Sequence, residues 1–551
     1  TAYIEKWAPS EDAFVAVQRL AKPAIDARDW DAAAAVFEKH KTRFPGMEQR
    51  FENIIAVLKA ESFDVELTNL GDNINSPADD IKPSVTVDGS RLYFASDREG
   101  GMGKLDIYVA EKKDGVWQPA VNLGDRINTP DHETINGLSF DGTRILIYGG
   151  FPGHMGSGDN YYFEKTERGW SSIMHFPPMV NSRNYDSDAF MTADGFAVLF
   201  TSDRQGVVGE RVPKNTPYHG SYAGNTDIFV SVRRGTYWQP PINLGPVINT
   251  PFAERSPFLH PDGRTLYFAS DGHPGLGKMD VFKSVRPNTS TWTDWSEPGN
   301  LGKDVNGSDD DWGYRITPDG KFAFFSTSNQ KDGRGENDIY MITLPRGVRP
   351  EAEVATIKGK ITDEDGKPIA ADVAIQSLTT GDVVAVLKTD PETGEYQGTV
   401  PKGDNYAAFA EREGYYPDAG NVNLSTGTIR DGGLADGSLR NGSGDDGSNR
   451  NGSGNDGDEP LQPPMPGHWY EVTLFQGRHP IVRKRYSVHL PPDKPIQYEV
   501  YNGPLKTSLW FDDGHHVYTF EAENIPAVQS EPHMTALDDC VPKVVMATVP
   551  D

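Results

Sequence analysis

The chain of 551 residues holds a single cysteine, Cys540. That excludes an intramolecular disulfide framework and any multi-cysteine zinc site. Apolar residues are few, 36 % of the total with a mean hydropathy of -0.57. No apolar run reaches the roughly 18 residues that a membrane-spanning helix needs. The opening TAYIEKWAPS has neither a basic nor an apolar leader segment. A signal peptide or lipid-bearing cysteine would therefore lie upstream of Thr1. Basic residues number 53 against 80 acidic ones, a net charge of -27. Such a field repels phosphate, so nucleic acid is not expected as a partner. Enzyme signatures are missing as well: there is no Gly-x-Ser-x-Gly and no His-Glu-x-x-His. Cys540 has no evident base nearby in the sequence. His515 and His516 would point to opposite faces of a strand. The expectation is a chain without catalytic function, without a cofactor and without a metal.

What is abundant is glycine and proline, 57 and 41 residues, and a repeat. NLGDNINSPADD (69–80), NLGDRINTPDHE (122–133) and NLGPVINTPFAE (243–254) are versions of one phrase. Five Asp-Gly pairs follow at Asp88, Asp141, Asp194, Asp262 and Asp319, each flanked by alternating apolar residues, the signal of a β-hairpin. The strands after them read RLYFASD, RILIYGG, FAVLFTSD, TLYFASD and FAFFSTS. Third strands begin at Asp106, Asp159, Asp227, Asp280 and Asp338, and the tails carry Trp117, Trp170, Trp238, and Trp292 with Trp295. Five units of four short strands predict a five-bladed β-propeller over 63–347. The fifth unit lacks a tail, whereas FDVELTNLG, ahead of the first, is a tail without a core. Residues 63–70 are thus expected to close the ring, removing an open sheet edge.

The flanks differ in character. Residues 1–62 read as a short TPR-like helical segment, with Ser10 as an N-cap, a second helix ending at Pro45-Gly46 and a third over about 48–61. Barely more than one repeat is present, which favours a helical cap on the next domain over a solenoid. Residues 352–425 alternate short strands with turns such as DEDGKP and PETGE and predict a β-sandwich. Residues 426–466, with arginine every ten residues (Arg430, Arg440, Arg450) and almost no apolar residue, read as a Gly/Asn/Asp-rich linker. Calcium is the other reading of its dense Asp and Asn, although EF-hand spacing is missing. Residues 467–551 predict a second β domain of unknown type. The fold class is therefore mainly β.

The repeats, clearest in FLHPDGRTLYFASD (258–271) and RITPDGKFAFFSTS (315–328), resemble the PD40 or WD40-like propeller repeats of TolB and of many Bacteroidetes envelope proteins. IKGKITDEDGKPIAADV and AEREGYYP resemble a carboxypeptidase-regulatory-like domain. The domain order is similar to that of PorE-like, OmpA-family lipoproteins associated with type IX secretion, over about residues 10–425. The resemblance implies a protein-binding scaffold of the bacterial cell envelope, periplasmic or at the outer membrane. Its partners would be other proteins of a secretion, gliding-motility or surface assembly, with an upstream lipid as anchor. An OmpA-like domain normally follows in that group; the sequence after the linker shows no such motif, so peptidoglycan is not supported as a partner.

Five residues after the Asn of each Ile/Val-Asn phrase stands a carboxylate: Asp80, Glu133, Asp186, Glu254 and Asp311. Each precedes an innermost strand, so the five are expected to gather near one channel mouth. There they would either hold a cation or a partner's Lys or Arg, or accept hydrogen bonds from a neighbouring blade's turn and pin blade to blade. A residue repeated in a repeated fold serves the repeat, which favours the second. Asp106, Asp227, Asp280 and Asp338 are expected to tie loop N–H groups. The tryptophans are expected to pack between blades. A rival reading takes Glu133 and Glu254 as the acid and base of a glycosidase, about 5–9.5 Å apart. The Gly-rich loop at Gly103-Lys104-Leu105 leads into a strand and does not make a phosphate loop. The loop 203–226 is the longest insertion, and its Arg211, Lys214, Tyr218, His219 and Tyr222 are the candidate partner-contact residues.

Overall fold

A computed structural model describes residues 1–63, 65–149, 151, 153–156, 158–210, 225–234, 237–327, 332–363, 366–380, 382–412, 418–423, 437–438, 470–474, 481–490, 496–501, 505–512, 515–525 and 543–548. It is mainly β and divides into two compact units, Thr1–Gly444 and Asp445–Asp551.

The first unit opens with helices α1 (Ala2–Trp7), α2 (Glu11–Asp26), α3 (Trp30–Lys41) and α4 (Glu48–Lys59). Ser10 caps α2 by accepting from the Ala13 N–H at 3.3 Å, and Asp29 caps α3 by accepting from Ala32 at 3.1 Å. α1 is an addition to the helices legible in the sequence; its Ile4 is buried in the same core. That core is aromatic, with Phe14, Phe37 and Phe44 packed around Phe51. Leu276, from a loop more than 200 residues away, completes it. Around that contact Gln18 donates to the Gly277 carbonyl (2.9 Å), Lys22 pairs with Asp309 (2.7 Å), and Lys303 donates to the Leu58 carbonyl (2.9 Å). The helices are thus seated on the rim of the β region.

Five antiparallel sheets follow in a β-propeller-like succession. Their innermost strands are Asp80–Val85, Thr134–Leu138, Asp186–Met191, Glu254–Leu259 and Arg315–Ile316. Each inner strand turns through its Asp-Gly pair into the second, with the glycines at φ 67–73°. That left-handed conformation suits glycine because it lacks a Cβ. A Ser or Thr two residues before the Asp donates its hydroxyl to that carboxylate in four turns, from Thr86, Ser139, Thr192 and Thr317. The inner strands of the first to fourth sheets pack in sequence, and that of the first also packs on the fifth sheet. The fourth and fifth sheets share one core containing Phe258, Tyr267, Tyr314 and Tyr340. Leu67–Asn69 pairs antiparallel with Asp338–Thr343, in the register Leu67↔Ile342, Thr68↔Met341, Asn69↔Tyr340.

Residues 354–423 form two sheets around one core that includes Ile357, Ile361, Val373, Leu387 and Tyr396. This module and the segment leading to it sit on all five Asp-Gly turns. Lys358 pairs with Asp88 (3.3 Å), and the Lys388 N–H donates to Asp141 (3.1 Å). The Val386 N–H donates to the Asp194 carbonyl (3.1 Å), the Ala352 N–H to Asp262 (3.4 Å), and Pro350 lies over Gly320. The second unit contains two three-stranded sheets, Tyr470–Leu474, Lys543–Thr548, Ile496–Tyr501 and Ile481–Leu490, His515–Ile525, Lys506–Asp512. Cys540 and most of 426–466 lie outside the described residues.

Candidate functional site

The repeated phrase resolves into two hydrogen-bonding jobs. The side chains of Asn75, Asn128, Asn181, Asn249 and Asn306 each exchange two bonds of 2.8–3.1 Å with one backbone residue of the preceding sheet's third strand: Ile339, Ile107, Asn160, Ile228 and Val281. The amide supplies one donor and one acceptor, so it pairs as a strand residue would. The acids do something else. Asp80, Glu133, Asp186, Glu254 and Asp311 accept from the N–H four residues earlier, at Ser76 (2.6 Å), Thr129 (2.9 Å), Ser182 (2.6 Å), Thr250 (2.7 Å) and Gly307 (2.6 Å). Inter-sheet pinning thus belongs to the asparagines; each acid closes its own turn, because a four-residue spacing brings the carboxylate back onto it. Arg98 and Arg204 add donors to Asp80 and Asp186.

This geometry occupies both oxygens of Glu133 and Glu254. Thr129 N–H and hydroxyl take the two oxygens of Glu133; Thr250 N–H takes one of Glu254, and the Thr250 and Ser270 hydroxyls the other. Both side chains are buried, in the second and fourth sheets, and burial raises both carboxyl pKa values, that of Glu254 well above the usual range. The Asp that opens each third strand accepts loop N–H groups: Met102 and Gly103 on Asp106, Met155 and Gly156 on Asp159, Leu276 and Gly277 on Asp280, Arg334 and Gly335 on Asp338. Among the described residues Asp227 receives Val208 N–H and the Asn243 amide, and burial pushes it up to about 7. Trp117 and Trp295 are buried, and Trp238 packs edge-on against Phe176 of the preceding sheet's tail. Arg211, Lys214, Tyr218, His219 and Tyr222 lie outside the described residues.

A second set of residues gathers where the inner strands begin, and it does not repeat. Two positions after each acid stand Lys82, Ile135, Asp188, Ser256 and Gly313. Lys82 Nζ pairs with Asp188 Oδ1 at 3.1 Å. Asp188 Oδ2 accepts from the Ser256 N–H at 3.3 Å and lies 3.8 Å from Arg255 Nε. Arg255 donates to the Tyr185 hydroxyl; the Tyr185 ring stands 5.8 Å from Tyr148, and Lys82 lies 5.1 Å from the Trp312 ring. Lys82, Tyr148, Asp188 and Arg255 come from the first four sheets, and Trp312 precedes the fifth. Burial of Asp188 favours its neutral form, but Lys82 and Arg255 outweigh it and hold the carboxyl at about 2. Deeper on the axis, Ser84, Gly137, Phe190, Phe258 and Arg315 enclose about 30 Å³, room for about one water. Arg315 donates to the Asn136 and Tyr314 carbonyls, tying the fifth sheet to the second, and burial lowers its pKa to about 10. The axis is thus filled, and its far end faces the 354–423 module.

Sequence reasoning missed this cluster because it looked for regularity. The signal was there: aligning the five copies on their acids gives five different residues two places on, Lys, Ile, Asp, Ser and Gly.

Residues 459–529 match the model of a family described as a domain of unknown function, DUF3857. The match begins inside the stretch read as linker. No curated protein matches the chain. Among solved structures, TolB from Acinetobacter baumannii is 16 % identical, with 49 % of this chain and 55 % of that one covered and a TM-score of 0.31. The α-L-arabinofuranosidase from Lactobacillus brevis is 12 % identical over 48 % of this chain and 90 % of its own, with a TM-score of 0.32. Bacteroides ovatus xyloglucan PUL GH43B is 11 % identical over 68 % and 95 %, with a TM-score of 0.30. All three likenesses are distant.

Proposed function

We propose that this chain is a non-catalytic scaffold that binds protein partners, built on a closed five-bladed propeller with a TPR-like helical segment and a β-sandwich seated on it. The observation that carries this reading is the engagement of every periodic acid in its own turn, together with the filled axis. General acid–base chemistry needs a carboxylate that can reach substrate. The closed ring is supported by the pairing of Leu67–Asn69 with Asp338–Thr343, which gives the fifth sheet its fourth strand. The envelope setting, in a secretion, motility or surface assembly, rests on the resemblance of the repeats and of the domain order.

The alternative is a glycan-binding or glycoside-hydrolysing propeller, favoured by aromatic residues around Asp188. Asp188, however, is held ionised by two cations, and glycoside hydrolysis needs a second, protonated carboxyl as acid. The test is affinity capture of the intact chain from envelope extracts, run beside an assay on arabinosides, xylosides and xyloglucan. A stoichiometric protein partner and no sugar release are expected. Turnover of any of the glycans contradicts the reading.

A further inference from the structure

The cluster at the axis mouth is unlike everything else the repeat builds. Lys82, Asp188 and Ser256 have left-handed backbones, at φ 53°, 51° and 51°. At the same place in the fifth copy Gly313 sits at φ 71°. A side chain in that conformation costs about 1–2 kcal/mol that glycine does not incur. Three copies keep a polar side chain where the backbone favours none, and such strain gathers at binding sites.

The chemistry of the cluster narrows the ligand. Arg255 Nε is buried and has no hydrogen-bond acceptor among the described residues, its nearest carboxylate oxygen being 3.8 Å away. A buried donor without an acceptor marks a place that something else completes. A cationic ligand would meet Lys82 and Arg255. A sugar ring would want an open aromatic face, but Lys82 lies over Trp312 and Arg255 over Tyr185, which also packs on Tyr148. What fits a guanidinium beside an ammonium is a carboxylate, which can take the two donors in one plane. The far end of the axis is covered by the 354–423 module, whereas Lys82 and Arg255 keep 13 % and 21 % of their side chains exposed at the mouth.

Resting on the scaffold reading above, we propose that the mouth formed by Lys82, Arg255 and Asp188 binds a carboxylate of a partner polypeptide, a chain terminus or an acidic side chain, on Arg255 and Lys82.

The test uses the full chain and a displayed library of random decapeptides. Selected peptides are resynthesised with each carboxylate in turn replaced by its amide, and affinity is measured by fluorescence anisotropy. One amide replacement and Arg255→Gln should each weaken binding by about tenfold or more, roughly the worth of a charge-assisted hydrogen bond. The double variant Lys82→Gly/Asp188→Gly guards against misfolding: it removes both partners of an ion pair and relaxes two strained residues. It should still unfold in one cooperative transition while peptide binding is lost. Peptides that bind with no sensitivity to amidation or to Arg255→Gln would overturn the mouth assignment and leave the scaffold reading standing. Failure to select any peptide, with oligogalacturonate bound and released by Arg255→Gln, would overturn the protein-partner reading itself.

Discussion

At the scale of single residues, one side-chain type does opposite things depending on its donors. Asp106, Asp159, Asp280 and Asp338 each accept two loop N–H groups, whereas among the described residues Asp227 accepts one and its buried Oδ1 has no partner. The folded state therefore holds the Asp227 proton up to about pH 7, against an unfolded value near 3.9. An acid whose pKa is raised by folding favours the fold at low pH, and that advantage is lost as pH rises from about 4 to about 7. Asp188, held at about 2, has the reverse sign: its contribution is present above about pH 4 and disappears as pH falls towards 2. Asp227→Asn should flatten the stability profile between pH 4 and 7 and raise the unfolding free energy at pH 7.5 by about 1–3 kcal/mol. Urea titrations across that range check it. Glu254→Ala should cost about 2–4 kcal/mol, because it leaves the Thr250 N–H and the Ser270 hydroxyl buried without their acceptor. Peptide binding at the mouth should not change.

At the scale of elements, the strand pairing reads from the chain more directly than the sites do. The Asp-Gly pairs announce the hairpins because their left-handed glycine is a local requirement, and the tail-like FDVELTNLG stands where the fifth sheet's last strand comes from. Thr68→Pro tests that strand. It removes an N–H from the Thr68↔Met341 pair and should destabilise the first unit by about 3 kcal/mol, read as a lower calorimetric midpoint. The division between asparagine and acid was less legible. Both recur at fixed spacing, and only three-dimensional pairing separates a residue that reaches the preceding sheet from one that folds back on its own turn. The mouth was illegible for a plainer reason. Lys82 and Asp188 are 106 residues apart and meet only through the packing of the inner strands.

At the scale of the whole first unit, the Asp-Gly turns serve as a platform as well as corners. Nothing in a hairpin signal says what will rest on it, so the seating of the 354–423 module and the segment leading to it on all five turns was not foreseeable. Lys165 and Asp390 form a half-buried ion pair across that contact. Lys165→Asp should cost about 1–3 kcal/mol, and Asp390→Lys added to it should restore much of the loss. A double-mutant cycle by thermal unfolding measures the coupling, and additive losses would mean that the pair does not bridge module and sheet in solution. The same organisation separates stability from recognition, with periodic residues holding the sheets together and the aperiodic mouth left to contact a partner. The most direct measurement compares Arg255→Gln with Glu133→Gln/Glu254→Gln in the full chain, following unfolding temperature and partner capture together. On this account the first variant loses the partner at an unchanged unfolding temperature, whereas the second still captures it and, because burial already favours the uncharged form of both carboxyls, keeps or raises its unfolding temperature at neutral pH. Loss of glycan turnover in the glutamate pair, or intact capture by the arginine variant, would contradict it.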